Sequence, residues 1–289
     1  KNILVTGGLG ILGSSLIKKL ANYKNCNIYV LDRSKNLNKI NIFELNKIKN
    51  LKIIKGNFND YGTVYRLIKK NKIEIIFHLG AITQVIDAYK SPYETFNSNI
   101  LGTINILESI RNLKKEILFI FSSSDKAYGT LIGKSYLEKH QLKGNYPYDV
   151  SKSASDLIVQ SYVKTYNLKA GIIRSGNIYG PGDLNMDRLV PHVIISLLNN
   201  KRPILRSNGK LIRDYIYVED VANAYISLMK KMLKSKNRLR IYNLGSKENL
   251  TVNNLVNLIT KLTNLKNIKP IVKNSSKIEI YKQKLNYKK

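Results

Sequence analysis

The 289-residue chain has one cysteine, Cys26, so no internal disulfide can form, and that usage suits a reducing, cytoplasmic setting. It also lacks any apolar run near the roughly 18–20 residues that a membrane span needs. The longest candidate, residues 73–82, is interrupted by Glu74 and His78 and reads as a buried strand. Histidines number three, and His140 and His192 have no Cys, His or acidic neighbours at ligand spacing, so no metal is expected. No secretory leader is read, because the chain opens directly on the strand-like run 2–6. It also opens without Met, and trimmed termini are expected.

Acidic residues are scarce: 19 against 49 Lys and Arg, for a formal net charge of +30. Such an excess raises the question of nucleic acid. The 39 lysines, however, are spread along the whole chain among Asn and Ile, with no basic block and no recognised nucleic-acid module. The expectation is therefore no nucleic-acid partner and no membrane, but a positive field that favours an anionic small molecule. Hydrophobic residues at 43% can fill a sizeable core, and 24% charged residues argue against disorder.

The first half alternates two periodicities. Strand-like runs at 2–6, 27–31, 51–55, 73–79, 117–121 and 170–174 are separated by helical patterns at 11–22, 61–70, 96–113 and 148–166. Apolar strands alternating with helices predict a Rossmann-type, doubly wound parallel sheet covered on both faces. After Arg174 the rhythm changes. A Gly- and Pro-bearing loop at 176–182 precedes a helix at 189–198, short strands at 204–206 and 215–217, a helix at 218–231, a strand-like run at 242–245 and a helix at 251–262. The expected organisation is a cofactor domain over 1–174, with 213–245 returning to it. A smaller, interleaved C-terminal substrate lobe is expected from 175–212 and 246–289.

Where the first strand hands over to a helix, the chain reads Thr6-Gly7-Gly8-Leu9-Gly10-Ile11-Leu12-Gly13. Glycines there permit a tight turn and close approach of backbone to a pyrophosphate, while the helix start offers unpaired N–H groups and partial positive charge. Asp32 closes the next strand, 19 positions beyond Gly13, where a carboxylate holds a ribose 2′-hydroxyl and repels a 2′-phosphate. Gly7, Gly10, Ile11, Leu12, Gly13 and Asp32 are thus read as a dinucleotide site that prefers NAD to NADP, with Arg33 adjacent.

Tyr148 and Lys152 stand four apart at the start of a predicted helix, on one face. An ammonium near a phenol lowers the phenol's pKa and equips it as a base. The strand at 117–121 leads into Ser122-Ser123-Ser124-Asp125-Lys126, at the sheet edge where open α/β folds bind ligands.

Taken with His78-Leu79-Gly80-Ala81, Asn99-Ile-Leu-Gly102-Thr103, Arg174-Ser-Gly-Asn177-Ile-Tyr-Gly180-Pro-Gly182 and Arg213-Asp-Tyr-Ile-Tyr-Val-Glu-Asp220, these motifs run in order along the chain. The sequence in this respect resembles the extended short-chain dehydrogenase/reductase, or NAD-dependent epimerase/dehydratase, family. The resemblance implies NAD as cofactor, a nucleotide-activated sugar as substrate and a homodimer or higher homo-oligomer. It implies further cofactor contacts at Asn57, Phe58, Leu79, Gly80 and Ala81, with Tyr148 and Lys152 also touching the cofactor. His78 is read as a packed imidazole beside it. Asn177 and Arg213 match the family's pyrophosphate contacts, and Arg188 joins the substrate-binding candidates. Two departures are Asn57, where the family has an Asp near the adenine, and Gly80 for Ala. The chain stops about where relatives begin a final helical segment, so a truncated C-terminus is expected.

The same resemblance narrows the reaction. Family epimerases carry small or apolar residues after the catalytic Ser or Thr, whereas dehydratases place an acid–base pair there. Asp125-Lys126 resembles the pair of the CDP-glucose type of 4,6-dehydratase and of some UDP-N-acetylglucosamine dehydratases, and the segment from Gly182 to Pro191 resembles the CDP-glucose type. In that scheme Ser124 orients the C4-hydroxyl and Tyr148 takes its proton, with Lys152 in support. Asp125 protonates the departing 6-hydroxyl and Lys126 removes the C5 proton. The alternatives are a nucleotide-sugar 4-epimerase and, from a different class, a non-catalytic NAD-binding regulator. Intact Ser124, Tyr148 and Lys152 argue against the regulator.

Overall fold

Strands such as Asn2-Ile-Leu-Val-Thr6 and Ile75-Ile-Phe-His78 are apolar on both faces, and a strand of that kind must be covered on both sides. The computed structural model describes residues 1–34, 36–131, 134–183, 185–248, 250–263, 268–275 and 280–288. Leu184, in the segment from Gly182 to Pro191, therefore lies outside the described residues. So do 249, 264–267, 276–279 and 289 of the span read as substrate lobe.

The chain begins β1 (Asn2–Thr6), α1 (Ile11–Ala21), β2 (Asn27–Asp32), α2 (Leu37–Ile42), β3 (Leu51–Lys55), α3 (Tyr61–Lys70) and β4 (Ile75–His78). There follow α4 (Val85–Lys90), α5 (Pro92–Phe96), α6 (Gly102–Leu113), β5 (Leu118–Ser124), α7 (Pro147–Tyr166) and β6 (Lys169–Ser175). The remainder is β7 (Asn177–Tyr179), α8 (Leu189–Leu198), β8 (Ile204–Leu205), β9 (Ile212–Arg213), β10 (Tyr215–Tyr217) and α9 (Val218–Lys234), then β11 (Leu239–Leu244), β12 (Leu250–Thr251), α10 (Val252–Leu262) and β13 (Ile271–Val272).

Seven strands form one parallel sheet in the order β11-β6-β5-β4-β1-β2-β3. The order reverses direction at β1, which makes the crevice between the carboxyl ends of β1 and β4 the topological switch point. Helices α1 and α9 cover one face through Leu16, Ile17, Val221 and Tyr225. Helices α3, α6 and α7 cover the other through Val64, Ile106, Ile110 and Val159. Each such side chain, taken fully out of water, contributes about 1.5–3 kcal/mol of transfer free energy. A separate core joins α8 to α10, with Val193, Leu197, Leu205, Leu255 and Val256 buried together. Small pairings β7–β10, β9–β12 and β8–β13 tie the connecting segments down. Among the described residues no helix is long and apolar enough to cross a membrane.

Two elements differ from the sequence expectation in ways that matter for the site. The helix expected over 96–113 starts at Pro92, which sits in the first turn where its missing N–H costs nothing, and passes through a π-helical turn at Asn97–Leu101. The turn frees the Asn99 carbonyl to accept from the hydroxyls of Thr103 and Ser155, at 2.6 and 2.8 Å. The Asn99 side chain clamps the backbone of Ile82 from both sides, at 2.8 and 3.0 Å. The strand expected over 117–121 in turn runs on to Ser124. Pairing with β6 continues to Ser124 opposite Ser175, so the three serines are strand residues.

Candidate active site

The switch-point crevice opens into a cleft of about 1680 Å³ whose walls include all of the sequence-predicted site residues. A single small ligand fills roughly 300–1,000 Å³, so there is room for two. At its base, Gly7 adopts φ +69°, and a Cβ there would meet the Gly80 nitrogen at 2.7 Å. At Gly13 a Cβ would run into the Gly7 carbonyl oxygen and lie 2.6 Å from the Gly8 Cα. Only glycine permits this approach of the turn to α1. The cap residue Gly10 has no side chain to satisfy the first amides of α1, which are left for an acceptor from outside the helix.

Asp32 ends β2 on the same rim and accepts from the Ser34 amide at 3.0 Å and its hydroxyl at 3.2 Å. Asn57 receives the Asn59 amide at 3.0 Å, and Asn105 pins the Phe58 and Asn59 carbonyls, so this loop has a defined shape. Leu79, Gly80 and Ala81 continue the wall from β4. The His78 ring sits between two hydroxyls, with Nδ1 2.7 Å from Thr6 Oγ1 and Nε2 3.1 Å from Thr103 Oγ1. Thr103 spends its proton on Asn99, and Thr6 already accepts from Gly80. The imidazole must then carry its proton on Nε2 and accept at Nδ1. Burial, reinforced by the Lys152 charge, lowers its pKa to about 3, so His78 is a neutral structural ring.

Opposite the glycine turn, β5 and the start of α7 bring Ser124, Asp125, Lys126, Tyr148 and Lys152 together. Burial drives the Tyr148 phenol above its ordinary range, and the Ser124 hydroxyl pulls the other way. Lys152 Nζ donates to the Ser122 carbonyl at 2.8 Å and lies 5.3 Å from the centre of the Phe121 ring. Burial lowers its pKa to about 8, against the opposing pull of Asp156. The spacing of Tyr148 and Lys152 had implied a phenol lowered by its neighbour. In the fold both are buried, and burial is the largest influence on each.

Asp125 is 1% exposed. Its Oδ1 accepts the Ser124 hydroxyl at 3.0 Å and lies 3.8 Å from Lys126 Nζ, while its Oδ2 has no hydrogen-bond partner among the described residues. A buried carboxylate oxygen left bare costs of order 1–3 kcal/mol or more.

Sequence reasoning missed several residues here. Asp149, next to Tyr148, is buried, and burial lifts its pKa to about 6 against the opposing charge of Lys126. Beneath the site Arg174 makes a two-point bond to Asp156, at 2.8 and 2.9 Å, and reaches Tyr128 at 2.8 Å. Asp156 also accepts from Ser123 at 2.7 Å, so this pair braces the end of β5. Arg174 was legible only as part of a motif, and Asp156 carried no signal beyond its helical position.

On the far wall, Asn177 reaches the Asp214 carbonyl at 3.4 Å. Arg213 is largely buried and donates to the Ile212 and Tyr281 carbonyls at 2.9 and 3.3 Å. Arg188 spans the cleft mouth, from Asp183 Oδ2 at 3.3 Å to Thr83 Oγ1 at 3.4 Å. Among the described residues no group of three His, Cys, Asp or Glu is placed to hold a metal.

Comparison with known proteins gives one consistent neighbourhood. A family model described as the NAD dependent epimerase/dehydratase family matches residues 3–245. A dTDP-D-glucose 4,6-dehydratase of Dictyostelium discoideum is 35% identical over 244 residues, 80% of this chain, and the chain spans 56% of that protein's length. Among solved structures, a UDP-glucose 4-epimerase from Thermotoga maritima with UDP-glucose superposes with a TM-score of 0.89 at 26% identity, covering 100% of this chain and 90% of that one. A dTDP-glucose 4,6-dehydratase from Bacillus anthracis in complex with NAD gives 0.84 at 26%, covering 99% and 87%.

Proposed function

The chain belongs to the NAD dependent epimerase/dehydratase family, and from that premise we propose that it is an NAD-dependent nucleotide-sugar 4,6-dehydratase. The product would be a nucleotide-linked 4-keto-6-deoxyhexose. The observation that carries the reading is Asp125, a buried carboxyl with one bare oxygen, beside Lys126 and adjoining Ser124 and Tyr148. An epimerase has no use for an acid–base pair at that point, since its ketone only turns over and is reduced again.

The glycine turn, the uncapped start of α1 and Asp32 suit NAD, with the pyrophosphate on the helix amides and the ribose on the carboxylate. When bound, NAD supplies the acceptor for hydride from the sugar and the donor that returns it. Ser124 orients the C4-hydroxyl and Tyr148 receives its proton. Lys152, whose ammonium is held by the Ser122 carbonyl, is assigned to favour the Tyr148 anion through its positive charge. Once C4 is a carbonyl, C5–H is acidic. Lys126 as an amine takes that proton, and Asp125 as a carboxylic acid gives its own to the 6-hydroxyl, which leaves as water. Return of hydride to C6 leaves C5 to take back the proton that Lys126 removed, which completes the 4-keto-6-deoxyhexose.

Asn177, Arg188 and Arg213 are assigned to the substrate's diphosphate, where guanidinium forks match phosphate oxygens. We assign residues 1–174 and 213–245 to the cofactor half and 175–212 and 246–289 to the substrate lobe. For the base, the Asp-Lys pair and the 182–191 segment favour CDP, although the relatives named above are dTDP and UDP enzymes by name. The rival reading, a 4-epimerase, draws on the superposition with the Thermotoga protein.

The test is to incubate the protein and NAD with CDP-, dTDP-, UDP- and GDP-glucose and weigh the products. Loss of one water, strongest with CDP-glucose, supports the proposal. An epimer of unchanged mass assigns the rival activity, and no conversion of any sugar overturns both.

A further inference from the structure

Gln283 is 1% exposed, yet its side-chain nitrogen has no hydrogen-bond partner among the described residues, and the residue belongs to the lining of the large cleft. A buried amide N–H without an acceptor is costly and uncommon in a settled core.

Its backbone is held firmly, so slack placement does not explain the missing partner. Residues 281–286 are bonded to three other parts of the molecule. Gln283 N donates to the Ile212 carbonyl at 3.0 Å, and Ile212 N to Tyr281 at 3.0 Å, which fixes the segment beside Arg213. Tyr136 N donates to the Lys284 carbonyl at 2.8 Å, and Asn286 N to that of Tyr136 at 2.9 Å. Leu285 N meets Asp214 Oδ2 at 2.7 Å, while Lys284 Nζ gathers Asp214 Oδ1 at 3.3 Å and the Ser246 and Glu248 carbonyls at 2.7 and 3.0 Å. Tyr136, paired with this segment, feels the charges of both Asp125 and Arg213. Gln283 therefore lies in a wall of the cleft, held by its backbone against the strand that carries Arg213.

We propose that Gln283 is a substrate-binding residue, donating its amide hydrogen to an oxygen of the hexosyl diphosphate as it enters the cleft. The inference rests on the reading of the cleft as a nucleotide-sugar site. It adds a donor that none of the motifs contains, delivered by a segment whose backbone is anchored before ligand arrives. The amide then completes its hydrogen bonding only in the complex.

The experiment compares the intact chain with Gln283→Leu. Removing a donor that has no partner in the free protein should leave the melting temperature unchanged or raised and NAD affinity unaltered. KM for the nucleotide sugar should rise about tenfold at nearly constant kcat, the loss expected for one hydrogen bond. Weaker inhibition by the nucleoside diphosphate alone would place the bond on phosphate, and unchanged inhibition would place it on a sugar hydroxyl. An unchanged KM overturns the proposal. If Gln283→Leu folds poorly, Gln283→Glu keeps the volume and sets a carboxylate against the same oxygen. It should raise KM further, and an unchanged KM there is equally fatal. If the wild-type protein turns over no nucleotide sugar, the functional reading has failed on its own. Calorimetric titration of wild type and Gln283→Leu with nucleoside diphosphate and nucleotide sugar then decides the role of Gln283: equal affinities overturn it.

Discussion

Replacing Asp125 by Asn should separate the two halves of the proposed reaction. The amide keeps the size of the side chain and an oxygen for the Ser124 hydroxyl, which donates to Oδ1 at 3.0 Å. It also removes a carboxyl that is 1% exposed with one oxygen bare, so the variant should fold at least as well as the parent. What it loses is a proton donor for the 6-hydroxyl. A positioned general acid is worth roughly 10²–10⁴ in rate, or about 3–5 kcal/mol of barrier. Ser124, Tyr148 and Lys152 stay in place, and C4 oxidation should survive. Stopped-flow mixing of Asp125→Asn and NAD with the nucleotide sugar should therefore build up reduced cofactor, seen by its fluorescence, while product formation falls by that factor. Turnover within threefold of the parent would refute the assignment of Asp125, as would equal loss of the oxidation phase.

Tyr148→Phe keeps the ring and deletes the proton acceptor, so kcat should fall by about 10²–10⁴ in a steady-state assay, and a loss under threefold would contradict its role. Asp149 has a folded pKa of about 6, above the unfolded value near ~3.9, so the folded state holds its proton more tightly. Its contribution to stability is full below pH ~4 and is lost as pH rises through about 6. Asp149→Asn should then stabilise the fold by up to about 3 kcal/mol at pH 8 and by nearly nothing at pH 4 in urea unfolding. An equal shift at both pH values would contradict the buried-carboxyl explanation. Asp156→Asn breaks an almost fully buried, two-point pair with Arg174 and should cost about 3–5 kcal/mol. Replacing both partners by apolar residues should recover much of that in the same assay.

The sheet was legible because its strands are apolar without alternation and its helices are amphipathic, two patterns carried by the order of the residues. The glycine turn, Asp32, Tyr148 and Lys152 were legible because their chemistry depends on short spacings that the sequence prints directly. The helix start at Pro92 was not, since Ser91-Pro-Tyr-Glu-Thr-Phe-Asn-Ser has no apolar stripe and is fixed by Asn99 gripping Ile82. Desolvation was also invisible: a Tyr–Lys spacing announces proximity, whereas the upward drift of the phenol follows from burial that only the packed site defines. Asp156 acts through Arg174 and Ser123, 18 and 33 positions away, and Gln283 is set in place by the Ile212 backbone, which no local pattern could have named.

The most direct test of the central claim follows one hydrogen. A nucleotide-glucose carrying deuterium at C4 should give a product lighter by one water with the deuterium at C6, because the hydride taken from C4 is returned within the same site. Deuterium recovered at C4 of an epimer, or lost to solvent, would contradict the account.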